Sequence, residues 1–144
     1  MKFTNILIAA FIILIVRAET DLSWNYCSGV DSFIDVHSIY VGCNESAGTP
    51  IERGKINHVH VTGQTLRTET VTKTHLAVYY KQETKPRYQS GFPFSGTFNA
   101  GKFEVRAPIP VPGFAPTDRY TTKIQLYNRS GSQVGCYEIH FKMH

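Results

Sequence analysis

The sequence has few charged residues for its length. Lys, Arg, Asp and Glu make up 18% of the 144 residues, whereas apolar residues make up 42% and aromatic residues 12%. Disordered chains show the opposite balance, so the composition predicts a folded domain. The formal net charge is only +4. A surplus this small gives no indication of a nucleic-acid partner.

No apolar run is long enough to span a membrane, which takes about 20 residues. The longest run, residues 6–16, follows Lys2 and ends shortly before Ala18. This layout is typical of a signal peptide at residues 1–18, cleaved after Ala18. We therefore expect residues 19–144 to form one mature domain, which is secreted or lies in the endosomal or lysosomal lumen.

Cysteine is scarce and its number is odd: Cys27, Cys43 and Cys136 are the three in the chain. Disulfides persist in the secretory route, so an odd count leaves at least one thiol to be explained. Two N-glycosylation sequons, at Asn44 and Asn128, agree with that route. We predict glycans at these two positions.

The sequence also lacks the 3.6-residue apolar period of an amphipathic helix. Apolar residues instead alternate with polar ones, and Val, Thr, Tyr and Phe are frequent, as is typical of strands. Such runs with turn residues between them predict an all-β sandwich or barrel of six or seven strands. The predicted strands are residues 33–41, 55–62, 72–81, 98–106, 119–127 and 134–141.

Two connections are unusually apolar. Residues 89–96 place Phe92 and Phe94 around Pro93, and residues 107–116 contain four prolines. Proline cannot donate to a sheet ladder, so the second segment is predicted to be an edge strand or an extended loop. Apolar side chains on such segments either border an apolar cavity or cap the core, and the residues alone favour neither.

Catalytic motifs are missing. No Gly-x-Ser-x-Gly element is present, and residues 96–102 match only the first part of a P-loop, because Phe103 stands where Ser or Thr should hold magnesium. His58 and His60 share one strand face, but a metal site needs a third ligand. We predict a polar face there, no metal, no cofactor and no enzyme activity. Binding tuned by acid through the six histidines remains a hypothesis.

Three short motifs carry a family resemblance. Trp24-x-x-Cys27 follows the leader, Arg119-Tyr120 precedes Ile124-x-Leu126, and Gly135-Cys136 lies in the last hairpin. Together with the strand order and length, they make the mature chain resemble the ML (lipid-recognition) domain family. The resemblance implies an immunoglobulin-like β-sandwich of two antiparallel sheets, with an apolar cavity that holds one lipid.

The resemblance also implies how the cysteines pair. In this family the early and late cysteines bond each other, so Cys27 is expected to pair with Cys136. The chain departs from the family at Cys43, whose usual partner is missing, and it lacks the mid-chain disulfide. Cys43 is therefore expected to be free, buried or available for an intermolecular bond.

The expected site consists of apolar side chains that face inward between the sheets, together with a mouth formed by the two apolar connections. The predicted cavity residues are Val59, Val61, Leu76, Val78, Tyr80, Phe98, Phe103, Val105, Ile124, Leu126, Tyr137 and Ile139. The predicted mouth residues are Phe92, Phe94, Ile109, Val111 and Phe114.

These expectations describe a monomeric carrier that transfers a lipid between membranes through transient contact with their surfaces. Phosphatidylglycerol or phosphatidylinositol is the first ligand expected, and sterol is the second. Residues 79–88 mix cations with aromatic rings, which suits a membrane interface or, equally, a solvated turn. The alternative is a secreted recognition or adhesion module with a filled core. A bound lipid would distinguish the two hypotheses.

Overall fold

The structure is a computed structural model that describes residues 22–43 and 50–144. The predicted signal peptide and the sequon at Asn44 lie outside the described residues. Within them the chain forms nine β-strands. Their bounds are β1 Ser23–Tyr26, β2 Ile34–Gly42, β3 Lys55–Thr65, β4 Glu69–Tyr80, β5 Tyr88–Ser90, β6 Gly96–Phe98, β7 Gly101–Val111, β8 Asp118–Asn128 and β9 Gln133–Met143.

The strands form two antiparallel sheets. One has six strands in the order β1-β9-β8-β4-β5, with β6 also paired to β4, and the other has the order β2-β3-β7. Apolar side chains alternate along the long strands and meet between the sheets, where they are buried. The predicted immunoglobulin-like sandwich is confirmed. No helix in residues 22–43 or 50–144 is long and apolar enough to cross a membrane.

The predicted strand at residues 98–106 is two strands in different sheets. Phe98 ends β6 in the six-stranded sheet, and Gly101 begins β7 in the three-stranded sheet. Gly101 has a φ of 140°, a conformation that glycine adopts without steric cost. The hydroxyl group of Thr65 donates to the carbonyl oxygen of Asn99 at 2.6 Å and fixes the crossing. A continuous pattern of alternation therefore concealed a change of sheet.

The proline-rich segment is half strand and half loop. Residues 107–111 complete β7, which is an edge strand, and residues 112–116 form the loop that follows. Pro108 and Pro110 are tolerated because an edge strand needs ladder hydrogen bonds on one side only. The prediction of an edge strand or an extended loop is thus confirmed in both parts.

The disulfide between Cys27 and Cys136 ties the N-terminal strand to β9, as expected. Its loop spans a sequence separation of 109, for which the chain-entropy model gives about 4–5 kcal/mol of stabilisation. Cys43 is half-buried and forms no disulfide among the described residues. The disulfide lies within the six-stranded sheet, whereas a hydrogen bond links the two sheets: the hydroxyl oxygen of Tyr26 in β1 accepts from the backbone N–H of Val36 in β2 at 2.8 Å.

The histidine pair lies on the outer face of the three-stranded sheet, in register with β7. The His60 ring packs against Tyr40 with 4.6 Å between centroids, and its Nε2 atom lies 2.7 Å from a carboxylate oxygen of Glu104. Within the part of the chain that the structure describes, no three His, Cys, Asp or Glu side chains are grouped as metal ligands.

Candidate functional site

A cleft of about 550 Å³ opens between the two sheets at one end of the sandwich. The three-stranded sheet contributes the start of β3 and the end of β7. The six-stranded sheet contributes β4, β8 and β9, and the loop of residues 112–116 borders the opening. Its lining residues are Gly54, Lys55, Ile56, Val78, Arg87, Tyr88, Ile109, Pro110, Val111, Pro112, Phe114, Ala115, Pro116, Tyr120, Phe141 and Met143.

A ladder of aromatic rings crosses the six-stranded sheet, and two of its members, Tyr120 and Phe141, line one wall of the cleft. Tyr80, Tyr120 and Phe141 are register partners on β4, β8 and β9. The Tyr80 and Tyr120 rings are 5.2 Å apart, and the Tyr120 ring stacks on Phe141 at 5.6 Å. Such offset pairs are worth about 0.5–1.5 kcal/mol each beyond their buried area, so the wall is rigid as well as apolar.

Hydrogen bonds fix the loop at the rim. The hydroxyl group of Tyr120 donates to the carbonyl oxygen of Pro116 at 2.7 Å. The Nε of Arg53 donates to the carbonyl oxygen of Ala115 at 2.7 Å, and its Nη1 donates to that of His144 at the same distance. The loop is therefore held by Tyr120 of the six-stranded sheet and by Arg53 of the turn before β3, and its proline residues limit its freedom further.

The turn before β3 lies beside this loop, since the backbone N–H of Gly54 donates to the carbonyl oxygen of Val111 at 2.7 Å. The turn is organised by Asn57, whose side chain is completely buried. Its Oδ1 accepts from the backbone N–H of Glu52 at 3.0 Å, and its Nδ2 donates to the carbonyl oxygens of Glu52 and Lys55. A buried amide with these partners carries no penalty for lost hydration. It fixes the side chains of Lys55 and Ile56 at the cleft.

The two cations of the cleft are already ion-paired. Lys55 Nζ lies 2.6 Å from a carboxylate oxygen of Glu52, which raises the pKa of Lys55 and lowers that of Glu52. Arg87 forms two hydrogen bonds with Glu83, at 2.7 and 2.8 Å, which lower the pKa of that carboxyl group. The guanidinium also lies 4.9 Å from the centre of the Tyr80 ring. The cleft therefore offers a ligand mainly apolar contacts.

Two apolar side chains at the rim face solvent. Phe114 is 88% exposed and Ile56 is 58% exposed. They lie on adjacent segments, the loop after β7 and the start of β3, which pairs with the end of β7. Burying such side chains in an apolar phase yields roughly 1.5–3 kcal/mol each. The rim is thus suited to contact with an apolar surface.

A family model described as ML domain matches residues 21–143, nearly the whole chain. The chain belongs to the ML domain family. The crystal structure of a Niemann-Pick type C2 protein from Japanese carpenter ant is similar in fold, with a TM-score of 0.50 and 12% sequence identity. That likeness covers 85% of this chain and 99% of the ant chain, and at this identity it shows the fold alone. No curated protein matches the chain significantly.

The predicted cavity residues of this ML domain lie in the core between the sheets. All are buried except Tyr80 and Phe98, which are half-buried and pack against the same core. Of the set, Val78 alone lines the cleft described above. The alternation of apolar and polar residues correctly identified which side chains point between the sheets. It did not identify the position along the strands at which the sheets separate to form the cleft.

The predicted mouth divides into two groups. Ile109, Val111 and Phe114 line the cleft, whereas Phe92 and Phe94 belong to an aromatic cluster toward the other end. Phe94 stacks on Phe98 at 5.0 Å and contacts Phe103 at 5.6 Å. Phe92 is buried, and its backbone exchanges hydrogen bonds with the Thr74 hydroxyl group at 2.7 and 3.0 Å. These bonds hold the connection against β4, which keeps it away from the cleft.

Several cleft residues were missed in the sequence, although the pattern contained a signal for some of them. Tyr120 lies on the same inward face of β8 as Ile124 and Leu126. Phe141 and Met143 lie on the inward face of β9. Arg87, Tyr88 and Ala115 lie in irregular segments or very short strands, where alternation gives no signal, although residues 79–88 and 107–116 suit a membrane interface and a cavity rim by their composition. Only the packing of the two sheets brings them to the cleft.

Proposed function

We propose that this ML domain is a secreted or lumenal carrier that takes a lipid from one membrane and delivers it to another. The cleft at the end of the sandwich supports the proposal, because its apolar walls can shield the apolar part of a lipid from water. A lipid with phosphatidylglycerol, phosphatidylinositol or sterol structure is the ligand. The mechanism requires binding and release but no bond chemistry and no cofactor.

The proposed carrier acts as a monomer that contacts the membrane with its rim. Phe114 and Ile56 enter the apolar layer, and the neighbouring Lys55 and Arg87 lie at the level of the headgroups. Cations near an anionic membrane contribute roughly 1 kcal/mol each, less where they are already paired. The contact is therefore weak and reversible, as a carrier requires.

The test is lipid occupancy of the mature protein with its native disulfide. Native mass spectrometry should find one lipid per chain, and fluorescent phosphatidylglycerol and sterol should compete for it. Ala115→Trp places a large ring in the cleft and should abolish uptake. Ala100→Trp is the matched control, because Ala100 is exposed on the β6–β7 connection, and it should leave uptake unchanged.

An empty protein that binds neither probe would contradict the carrier proposal. It would favour the recognition module with a filled core. Equal uptake by Ala115→Trp and wild type would show instead that lipid binds elsewhere.

A further inference from the structure

The outer face of the six-stranded sheet carries a row of three cations. Arg119 on β8 is the register partner of Lys142 on β9. Lys81 directly follows β4 and donates its backbone N–H to the carbonyl oxygen of Arg119 at 2.8 Å. It therefore lies on the side of Arg119 that is away from Lys142. Like charges directly opposite each other on neighbouring strands are destabilising. Three cations of the chain are thus clustered at this end of the outer face.

Only part of this charge is neutralised within the protein. Asp118 Oδ2 lies 3.3 Å from Lys81 Nζ, and this contact raises the pKa of Lys81. Arg119 and Lys142 are exposed, and neither forms an ion pair within residues 22–43 and 50–144. Lys142 nevertheless contributes to lowering the pKa of Asp118, after the hydrogen bonds from Arg119 and Lys81, and the Asp118 carboxylate lines the same groove. The row therefore offers two cations to an anionic ligand.

The row borders a groove of about 790 Å³ whose remaining side chains are mostly hydrogen-bonding groups. His140 lies in it, with Nδ1 3.0 Å from the Thr121 hydroxyl group and Nε2 2.9 Å from Asn25 Oδ1. Ser23 and Gln82 also line the groove. A ligand that matches this surface carries both negative charges and many hydroxyl groups.

We propose that this groove binds a sulfated polysaccharide. The sulfate groups pair with Arg119 and Lys142, and the sugar hydroxyl groups bond to the polar side chains between them. An anionic membrane is the competing partner, but a membrane site would combine cations with exposed apolar side chains. The most exposed apolar residues at this end, Phe114 and Ile56, belong instead to the cleft.

The cations of the groove and the aromatic rings of the cleft point to opposite faces of the same strands, although Tyr120 and Phe141 border both spaces. Along β8 the exposed Arg119 precedes the buried Tyr120, and along β9 Lys142 follows Phe141. Side chains of successive strand residues point to opposite faces. A polysaccharide that pairs with Arg119 and Lys142 therefore binds on the outer face, and the inference does not depend on the lipid proposal.

Heparin is the probe for the test, and its affinity is measured by calorimetry at several salt concentrations. The double variant Arg119→Gln/Lys142→Gln should bind roughly tenfold more weakly, and the slope of log K against log salt should become shallower by about one to two. The control Lys102→Gln/Arg129→Gln has the same net charge and lies on the other sheet and at the far end of β8. It should change affinity less than about twofold, since distant surface charges are screened.

Two further measurements separate the alternatives. The charge-conserving variant Arg119→Lys/Lys142→Arg should keep heparin affinity, and Arg119→Gln/Lys142→Gln should melt no lower than wild type because repulsion is removed. Equal weakening in the matched control would overturn the proposal. So would a variant that retains heparin binding but loses binding to phosphatidylglycerol vesicles, because the surface would then belong to a membrane.

Discussion

The hydroxyl group of Tyr120 donates a 2.7 Å hydrogen bond to the carbonyl oxygen of Pro116, so a residue in the middle of the larger sheet fixes the rim of the cleft. The same side chain stacks on Phe141 inside the cleft. Wall and rim are therefore coupled through one residue. A substitution of Tyr120 that alters the wall of the cleft should therefore also alter how firmly the rim loop is held.

Tyr120→Phe keeps the ring stack and removes that hydrogen bond. Since the carbonyl oxygen of Pro116 loses its partner, we expect a loss of about 1 kcal/mol in unfolding free energy. Lipid release should become faster because the rim loop is held less firmly. Urea unfolding and stopped-flow release measure the two effects. Tyr79→Phe, on the opposite face of β4, is the control, and identical release rates in both variants would contradict the coupling.

Phe114→Ser tests the rim as a membrane contact. The side chain is 88% exposed, so its removal should leave the melting temperature nearly unchanged. Transfer between vesicles should slow because an apolar anchor is lost. Leu66→Ser is the matched control, since Leu66 is 65% exposed and lies in the connection between β3 and β4. Equal slowing at both positions would mean that exposed apolar area in general, and not this rim, governs transfer.

Cys136→Ser should destabilise the domain strongly. Loss of a disulfide that closes a loop of this length removes about 4–5 kcal/mol in the chain-entropy model. Cys43→Ser should change stability by less than about 1 kcal/mol, because Cys43 is half-buried and outside the disulfide. Chemical unfolding under non-reducing conditions compares the two variants. Comparable losses would argue against the pairing of Cys27 with Cys136.

Tyr137 should make the domain sensitive to alkaline pH. Burial raises the pKa of its phenol to about 12, while the hydrogen bond with Ser32 acts in the opposite direction. An unfolded tyrosine titrates near 10, so between pH 10 and pH 12 the unfolded chain releases a proton that the fold retains. Stability is therefore complete below pH 10 and falls across this window by roughly 2–3 kcal/mol.

Unfolding free energies at pH 9 and pH 11 measure about half of this loss, roughly 1 kcal/mol, and Tyr137→Phe should show a much smaller difference between them. Both proteins carry Cys43→Ser, because a thiolate at high pH would attack the disulfide. The variant should be less stable at pH 9, where the hydrogen bond with Ser32 at 3.1 Å is lost. Parallel pH profiles for the two proteins would assign the alkaline loss to other groups.

Much of the architecture follows from local patterning. Alternation along residues 55–62 and 119–127 predicts strands whose inward residues, such as Val59 and Ile124, are indeed buried. Prolines at alternate positions predict the edge strand, since they cannot bond on both sides. The pairing of Cys27 with Cys136 came from the family resemblance, because spacing alone does not specify connectivity.

The composition of the cleft depends on tertiary structure. Phe92 and Phe114 have similar sequence surroundings, since each follows a glycine in an apolar connection that contains proline. Hydrogen bonds with Thr74 hold Phe92 against β4, whereas Phe114 protrudes from a loop anchored by Tyr120 and Arg53. No local rule separates them, because these partners are distant in sequence.

The sequence by itself determined most of the long strands and their inward faces through local alternation, and the covalent closure through a family pattern. It did not determine the short strands β1, β5 and β6 or the change of sheet after Phe98. The tertiary structure decided where the sheets separate and which residues border the gap. The physical reason is that a period of two specifies a side of the sheet but not a depth between two sheets. That depth is fixed only when distant residues such as Met143 and Val111 meet across the cleft.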